Sequence, residues 1–280
     1  MSESASAVVR VHDQASRSAR SEGPILEIRD VHLRFGGVVA LGGVSFSLDR
    51  REILGLIGPN GAGKTSLFNC LSRLYVPTAG EILFDGRSIL SMSGHRMAPL
   101  GIGRTFQNPA MFSTMTVMES VMVGGHCRSR SDFLSDALRL PWVSAEERRL
   151  RARTLELLHY LDLDAHAFTR VSTVPFATQK RIELARALAT EPRLLLLDEP
   201  AGGLNHDEID ELIALIRRIR DDFGLAILLV EHHMGLVMAV SDRVVAINFG
   251  RKLAEGEPSE LRNDPKVIRA YLGTDSRGEQ

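Results

Sequence analysis

The pattern of hydrophobic and polar positions predicts a small antiparallel sheet in the N-terminal part of the chain. Between residues 25 and 49, apolar side chains recur at every second position, at Val31, Leu33, Phe35, Val44, Phe46 and Leu48. A period of two is typical of strands with one buried face. Glycine pairs at 36–37 and 42–43 interrupt the pattern and predict turns. A further strand at residues 81–84, closed by Asp85-Gly86, extends this sheet.

A second pattern marks the core strands. Residues 53–57, 194–197 and 226–230 form continuous apolar runs, as expected of parallel strands that are buried on both faces. Between the last two runs lies a helical stripe formed by Ile209, Leu212, Ile213, Ile216 and Ile219. Strand, helix and strand in this order form a βαβ unit, so the chain is predicted to be an α/β protein.

The segment 108–178 differs from the rest because it contains no convincing strand pattern. Within residues 145–161, charged side chains occupy one side and a leucine stripe occupies the other, at Leu150, Leu155, Leu158 and Leu161. The segment is therefore predicted to be a mostly helical insertion. The predicted organisation is a disordered tail at 1–22, a domain at 23–273 and a short tail at 274–280.

Composition excludes several classes of protein without naming a function. The 280 residues suffice for one large domain or two small ones. A formal net charge of −1 gives no electrostatic argument for nucleic acid, and none is expected as a partner. No apolar stretch approaches the ~20 residues of a membrane span, and residues 1–22 lack the apolar core of a secretory signal. Cys70 and Cys127 lack metal-ligand spacing and are predicted to be reduced structural thiols.

The strongest chemical motif is GPNGAGKT at residues 58–65. Gly58 and Gly63 permit backbone angles at which N–H groups converge on phosphate oxygens. Lys64 can reach the terminal phosphates, and the Thr65 hydroxyl can ligate Mg²⁺. The loop follows an apolar strand and opens a helix, with Leu67, Leu71 and Leu74 on one face. The helix N-terminus adds positive charge. The predicted nucleotide-binding segment comprises Gly58, Pro59, Asn60, Gly61, Ala62, Gly63, Lys64, Thr65 and Ser66.

Four further residues lie where a hydrolytic site needs them. Asp198 closes an apolar strand, where its carboxylate can bind Mg²⁺. Glu199 follows and can polarise an attacking water as general base, although this pair alone would also suit a strand-ending turn. Gln107 supplies an amide at the start of the helical insertion. His232 lies at the end of the next core strand, where contact with the γ-phosphate is favoured over a structural role.

Assembled in this order, residues 25–272 resemble the ATP-binding subunit of an ABC transporter. The resemblance implies a P-loop NTPase cassette with a RecA-like parallel-sheet core, a small antiparallel β subdomain and an inserted α-helical subdomain. It implies that Phe35 stacks on adenine and that Gln107 links Mg²⁺ to the transmembrane partner. It also implies that Glu199 and His232 are the catalytic glutamate and the switch histidine, and that residues 201–205 form the D-loop. Thr65, Gln107 and Asp198 then hold the Mg²⁺ that accompanies ATP.

The subfamily that the chain resembles is the branched-chain amino acid importers, in which it is similar to the longer of two ATPase subunits. The similar strings are RTFQN at 104–108, MTVME at 115–119, AGGLN at 201–205, EHHM at 231–234, GRKLAEG at 250–256 and VIRAYLG at 267–273. This resemblance implies pairing with a second ATPase subunit, with a homodimer as the alternative. It further implies two transmembrane permease subunits, a periplasmic solute-binding protein and a place on the cytoplasmic face of the inner membrane.

The signature that contacts ATP on the opposite subunit departs from the family pattern. The family's Leu-Ser-Gly-Gly-Gln falls on residues 174–178, and the segment expected to act in trans is Pro175, Phe176, Ala177, Thr178 and Gln179. Proline and an aromatic residue occur at these positions in the subfamily. Ala177, where the family has its second glycine, and Thr178, where it has glutamine, do not fit the subfamily pattern. Glycine normally lets the backbone approach the γ-phosphate on the opposite subunit, and a β-carbon at 177 can crowd it.

Several alternatives to branched-chain amino acid import stay open at the level of sequence. A related system for urea, short amides or other amino acids uses similar strings. An exporter ATPase is disfavoured by the MTVME and AGGLN strings, and a soluble DNA-repair or translation ATPase by the lack of a second cassette or a long coiled coil. A non-hydrolysing regulatory cassette is kept open by Ala177 and Thr178 alone.

Overall fold

The computed structural model describes residues 23–105, 114–127 and 141–275. The chain divides into two compact units, one formed by Ala98–Arg193 and the other by Ser21–Met97 together with Leu194–Gln280. Gln107, the tail at 1–22 and residues 276–280 lie outside the described residues, as do parts of the segment 108–178. In the described ranges, no helix is both long and apolar enough to cross a lipid bilayer.

The regular elements follow the chain order. The strands are β1 (Leu26–Phe35), β2 (Val38–Leu48), β3 (Ile53–Ile57), β4 (Ala79–Phe84), β5 (Arg87–Ser88), β6 (Ile102–Arg104), β7 (Leu194–Asp198), β8 (Ala226–Val230), β9 (Arg243–Asn248) and β10 (Arg251–Gly256). The α-helices are α1 (Lys64–Leu71), α2 (Met97–Leu100), α3 (Val117–His126), α4 (Pro141–Tyr160), α5 (Phe176–Leu188), α6 (His206–Phe223), α7 (Met234–Val240), α8 (Pro258–Arg262) and α9 (Pro265–Asp275).

The predicted antiparallel sheet is present and has the strand order β2-β1-β4-β5. Gly36 and Gly37 form the predicted turn between β1 and β2. The prediction of a second turn at Gly42-Gly43 is wrong, because β2 continues through both glycines. The β1–β2 register shifts between the Val31–Val44 and His32–Gly42 pairs, so the glycines accompany a β-bulge.

The parallel core predicted from the apolar runs is also present. Within the larger unit, the strand order is β10-β9-β3-β8-β7. Strand β3 pairs in parallel with β8 and β9, and β7 pairs in parallel with β8. Every residue of β3, β7 and β8 is buried, which explains why these strands read as continuous apolar runs. The carboxyl ends of β3, β7 and β8 therefore lie along one edge of the sheet, which is where ligands bind in open α/β sheets.

The helix between β7 and β8 confirms the predicted stripe with one adjustment. Its buried side chains are Ile209, Leu212, Leu215, Ile216, Ile219 and Phe223, so Ile213 is only half-buried and Leu215 lies on the buried face. Asn205 begins α6 with a capping box: its Oδ1 accepts the Glu208 N–H at 3.0 Å, and the Glu208 carboxylate accepts the Asn205 N–H at 2.8 Å. Such a cap contributes about 0.5–2 kcal/mol to stability.

The helix after the phosphate-binding motif is shorter than predicted. Leu67 and Leu71 are fully buried, as expected. Leu74 lies beyond the end of α1 at Leu71 and is 63% exposed, so its assignment to the same helix face as Leu67 and Leu71 is wrong. The chain leaves the helix at Arg73, whose φ of 58° breaks the helical periodicity.

The smaller unit is largely helical where it is described. Helix α3 packs against α4 and α5, and Thr116 and Glu119 form a capping box at its start. In residues 114–127 and 141–178 the only extended pairing is an isolated bridge between Thr116 and Arg170. The MTVME string therefore encodes a helix start.

The leucine stripe predicted for α4 is partly wrong. Leu158 and Leu161 are fully buried, but Leu155 is 43% exposed. The buried face continues through Thr154 and Leu157, which are 1% and 7% exposed. Leu155 lies about 140° around the helix from Leu150, when 3.6 residues make one turn, and so it points away from that face.

Candidate functional site

The phosphate-binding loop connects β3 to α1, and two of its glycines are required by the surrounding backbone. Gly58 has a φ of 156°, and a Cβ there would lie 2.2 Å from the Ile247 carbonyl oxygen. Gly63 has a φ of 105°, and a Cβ there would lie 2.7 Å from the Ala40 carbonyl oxygen. Both positions therefore exclude any side chain.

Lys64 folds back over this loop. Its side chain is 5% exposed, and its Nζ donates to the carbonyl oxygens of Gly58 at 2.5 Å and Pro59 at 3.2 Å. Burial lowers the pKa of Lys64, and the nearby carboxylates of Glu199 and Asp198 partly oppose this shift. The ammonium group is therefore held beside the loop by two neutral carbonyl oxygens. A bound phosphate can offer this ammonium group a charged partner.

The rest of the motif surrounds the N-terminus of α1. Asn60 and Gly61 are exposed at the tip, and Ala62 is buried with its N–H donated to the Pro59 oxygen at 3.1 Å. Thr65 is exposed and Ser66 is half-buried in the first turn. Because the helix is preceded by a glycine, no side chain caps it, and the first-turn N–H groups point to where an anion binds.

The two predicted carboxylates lie at the end of the neighbouring strand β7. Asp198 is its last residue and is 2% exposed. Glu199 has a φ of 49°, which is uncommon for a residue with a β-carbon. Its N–H donates to the Val230 carbonyl oxygen at 2.8 Å. Strain of this kind persists where surrounding bonds fix it and is concentrated at functional sites.

Glu199 and His232, which are predicted to be catalytic, are in direct contact. His232 Nε2 lies 2.8 Å from Glu199 Oε1, and the two side chains are 40% and 33% exposed. The two residues follow adjacent parallel strands, which explains why they meet although they are 33 residues apart in sequence. A substrate in front of the phosphate-binding loop would therefore face a carboxylate and an imidazole together.

The residues at this edge suit a magnesium ion that arrives with its nucleotide. The Thr65 hydroxyl and the Asp198 carboxylate are hard oxygen ligands. Among the described residues, no group of three His, Cys, Asp or Glu side chains could hold a metal by itself. This donor set fits Mg²⁺, which binds proteins through one or two oxygens and takes its other ligands from phosphate and water.

Phe35 offers a flat, accessible surface for a base. It is 47% exposed at the end of β1. Its ring meets Tyr75 edge-on, with ring centroids 5.1 Å apart and an interplanar angle of 75°. This contact fixes the orientation of the Phe35 ring, and an aromatic face stacks on any nucleobase.

The signature segment, which departs from the family pattern, lies at the start of α5 in the smaller unit. Pro175 is the residue before the helix, and Phe176 is 44% exposed in its first turn. Ala177 and Thr178 are half-buried and lie within the helix. The Gln179 side chain donates to the Val174 oxygen at 3.0 Å. Ala177 has helical backbone angles, so the conformation itself does not require glycine there, and only the space for the methyl group is in question.

Sequence reasoning missed Tyr271, which contacts the phosphate-binding loop from helix α9. The Tyr271 hydroxyl accepts the N–H of Gly58 at 2.8 Å. Burial raises the pKa of Tyr271, against a smaller opposing effect of this hydrogen bond, so the phenol stays neutral near pH 7. The signal in the sequence was its place in the VIRAYLG string. The C-terminal helix therefore supports the first glycine of the loop.

Replacing Tyr271 by Phe is expected to lower the free energy of unfolding by about 1–3 kcal/mol, because the buried Gly58 N–H loses this acceptor. Urea denaturation of the full chain measures the effect. Tyr75→Phe is the matched control, with an expected change below about 0.5 kcal/mol because its ring is 36% exposed. Equal effects of the two substitutions would contradict the role given to the hydroxyl.

Comparison with known proteins agrees with this geometry. The family model of the ABC transporter matches residues 41–202, and the model described as branched-chain amino acid ATP-binding cassette transporter matches residues 251–276. The chain therefore belongs to the ABC transporter family, as an ATP-hydrolysing subunit that binds ATP. The predicted fold class and family resemblance are confirmed.

Within that family, its relatives include several branched-chain amino acid transport ATP-binding proteins. The chain is 42% identical to BraF of Pseudomonas aeruginosa, over 89% of this chain and 98% of that protein. It is also 42% identical to LivG of Escherichia coli K12, with the same coverage. A crystal structure of the ADP conformation of an ABC transporter ATP-binding cassette superposes with a TM-score of 0.79 at 27% identity, covering 90% of this chain and 99% of the other.

Proposed function

We propose that this chain is the ATPase subunit of an importer for branched-chain or closely related amino acids. The observation that carries the solute class is the match of residues 251–276 to the branched-chain amino acid cassette model. It agrees with relatives of that description across 89% of the chain. The same segment contains Tyr271, which contacts the phosphate-binding loop.

The proposed reaction is the hydrolysis of ATP by water. The backbone N–H groups of residues 60, 61 and 63–66 and the Lys64 ammonium hold the phosphates, and Phe35 stacks on the base. Glu199 accepts a proton from the attacking water, and His232 donates a hydrogen bond to the γ-phosphate as charge develops on it. The contact of 2.8 Å between Glu199 and His232 keeps both groups at one place.

Mg²⁺ is proposed to accompany the nucleotide. Thr65 and Asp198 would hold it, together with Gln107 from the segment that the family resemblance identifies. Mg²⁺ supplies positive charge that neutralises the phosphate oxygens. Asp198 contributes its carboxylate from the buried end of β7, where few waters compete for it.

The proposed assembly contains two ATPase subunits and two transmembrane permease subunits, with a periplasmic binding protein that delivers the solute. A second, different ATPase is proposed as the partner, and a homodimer is the alternative. The chain would lie on the cytoplasmic face of the inner membrane. The proposed ATPase domain is 23–273, and residues 108–178 form its inserted helical subdomain.

Uptake by intact cells tests the solute class. A strain that lacks this subunit is expected to lose most high-affinity uptake of radiolabelled leucine, and the wild-type gene is expected to restore it. Excess unlabelled isoleucine and valine should compete, whereas urea and short amides should not. Competition by urea or amides alone would assign the chain to the other importers, and unchanged uptake of all these solutes in the deletion strain would reject the proposal.

The altered signature is expected to make the two ATP sites of a heterodimer unequal. The site that uses this chain's Glu199 with the partner's signature should turn over faster than the site completed by Ala177 and Thr178. Restoring Ala177→Gly with Thr178→Gln in the assembled transporter should therefore raise the ATPase rate. No gain would show that a small backbone shift absorbs the methyl group, as single-methyl changes often allow.

A further inference from the structure

A buried carboxylate next to the catalytic pair has no role in the mechanism above. Glu231 follows strand β8 and is 3% exposed. Its Oε1 accepts the N–H of Ala201 at 2.7 Å. Its Oε2 accepts the N–H groups of His232 at 2.7 Å and His233 at 3.1 Å.

These three bonds explain how a carboxylate is tolerated at this depth. A buried carboxylate is costly unless hydrogen bonds or a cation compensate it. In the part of the chain that the structure describes, the partners of Glu231 are backbone N–H groups rather than lysine or arginine side chains. Hydrogen bonds to an ionised acceptor are short and strong, so each N–H group is held in a defined place.

The bonded N–H groups belong to the two segments that carry the catalytic pair. Ala201 lies two residues after Glu199, and His232 is itself a member of the pair. The two segments leave adjacent strands, β7 and β8, and Glu231 joins them just beyond the last paired residues, Asp198 and Val230. One side chain thus spans the gap across which Glu199 and His232 meet at 2.8 Å.

We propose that Glu231 is a positioning residue that sets the spacing between Glu199 and His232 and thereby the rate of ATP hydrolysis. The inference rests on the roles proposed above for that pair. Glu231 acts through His232 and the segment after Glu199, without touching ATP. The alternative is that Glu231 is a purely structural carboxylate. Its loss would then lower stability, and turnover would fall only as far as the folded fraction falls.

Glu231→Gln tests this proposal because it preserves size and removes the second ionised oxygen. An amide NH₂ group cannot accept an N–H, so at least one of the three bonds is lost. Displacement of a catalytic group by about 1 Å costs up to about 100-fold in rate. We expect kcat of the full chain to fall by about 10- to 100-fold, while the affinity for a non-hydrolysable ATP analogue changes by less than about threefold.

Glu52→Gln is the matched control for stability. Glu52 lies in the same unit and also accepts a backbone N–H, from Asp49 at 2.6 Å, beside an ion pair with Arg243 at 2.8 Å. Its side chain is 12% exposed. We expect the two glutamine variants to lower the melting temperature comparably, and only Glu231→Gln to lower kcat. A fall in kcat that is equal in both variants would overturn the proposal.

A double-mutant cycle with His232→Ala separates this inference from the proposed function. If Glu231 acts by setting the spacing between Glu199 and His232, Glu231→Gln should lower kcat by clearly less in the His232→Ala background than in the parent. Fully additive losses would overturn the positioning role. If kcat is normal in Glu231→Gln but impaired in His232→Ala, the inference about Glu231 is rejected and the role of the histidine stands. If kcat is normal in His232→Ala, the role proposed for the histidine is rejected, and the inference about Glu231 is rejected with it.

Discussion

Replacing Glu199 by Gln is expected to slow ATP hydrolysis by about two to four orders of magnitude, the usual contribution of a general base, while ATP still binds. Glutamine keeps the size of the side chain but cannot accept the proton of the attacking water. The contact with His232 at 2.8 Å can persist through the amide oxygen, so the site keeps its shape. Steady-state turnover and equilibrium titration with ATP measure the two effects separately. The ATP-bound dimer should accumulate and be visible by size-exclusion chromatography.

Glu211→Gln provides the matched control for this prediction. Glu211 lies on the exposed side of α6, and the same Glu-to-Gln substitution can be made there. It should leave turnover within about twofold of the parent, because its exposed side chain lies outside the candidate site. Near-normal turnover of Glu199→Gln would show that another group activates water.

Lys64→Ala is expected to weaken ATP binding by about 10- to 150-fold, since a hydrogen bond to a charged group contributes about 1.5–3 kcal/mol. The alanine removes the cation next to the phosphates. It also removes the bonds from Nζ to the Gly58 and Pro59 oxygens, which tie the side chain to the loop. Titration with a non-hydrolysable ATP analogue measures the loss directly.

The lysine prediction has its own control. Lys252→Ala removes a half-exposed lysine that pairs with Glu255 at 2.8 Å, and it should leave the affinity for the analogue unchanged. An affinity for Lys64→Ala equal to that of the parent would exclude Lys64 as a phosphate ligand. A loss in turnover without a loss in affinity would restrict Lys64 to the transition state.

The sequence predicted most of the fold because strands that are buried on both faces and strands that are buried on one face have different patterns of apolar residues. The runs that became β3, β7 and β8 are apolar at every position, and each of those strands is buried throughout. The failures occur where the pattern alone could not decide. Gly42 and Gly43 are compatible with a turn, and only pairing with β1 makes them part of a bulged strand. Leucines such as Leu74 and Leu155 read as buried although they are exposed.

The candidate site was predicted where a local motif encodes it and missed where distant segments meet. The glycines and Lys64 lie in one loop, so their spacing alone carries the chemistry. Tyr271 reaches Gly58 across 213 residues of sequence, and Glu231 reaches Ala201 across 30. Neither contact has a periodic or spacing signal. Glu231 and Tyr271 were visible only as letters in strings typical of the subfamily, without a physical reason for their presence.

Transport by the assembled system tests the central claim most directly. Proteoliposomes that contain this chain, its partner ATPase and the permease subunits are supplied with MgATP on the ATPase side and a leucine-loaded binding protein on the other. We predict that leucine accumulates with the wild-type chain only when ATP is present, and that accumulation falls by at least about tenfold with Glu199→Gln. Accumulation without ATP, or at the wild-type rate with Glu199→Gln, would contradict the claim that ATP hydrolysis by this chain powers import.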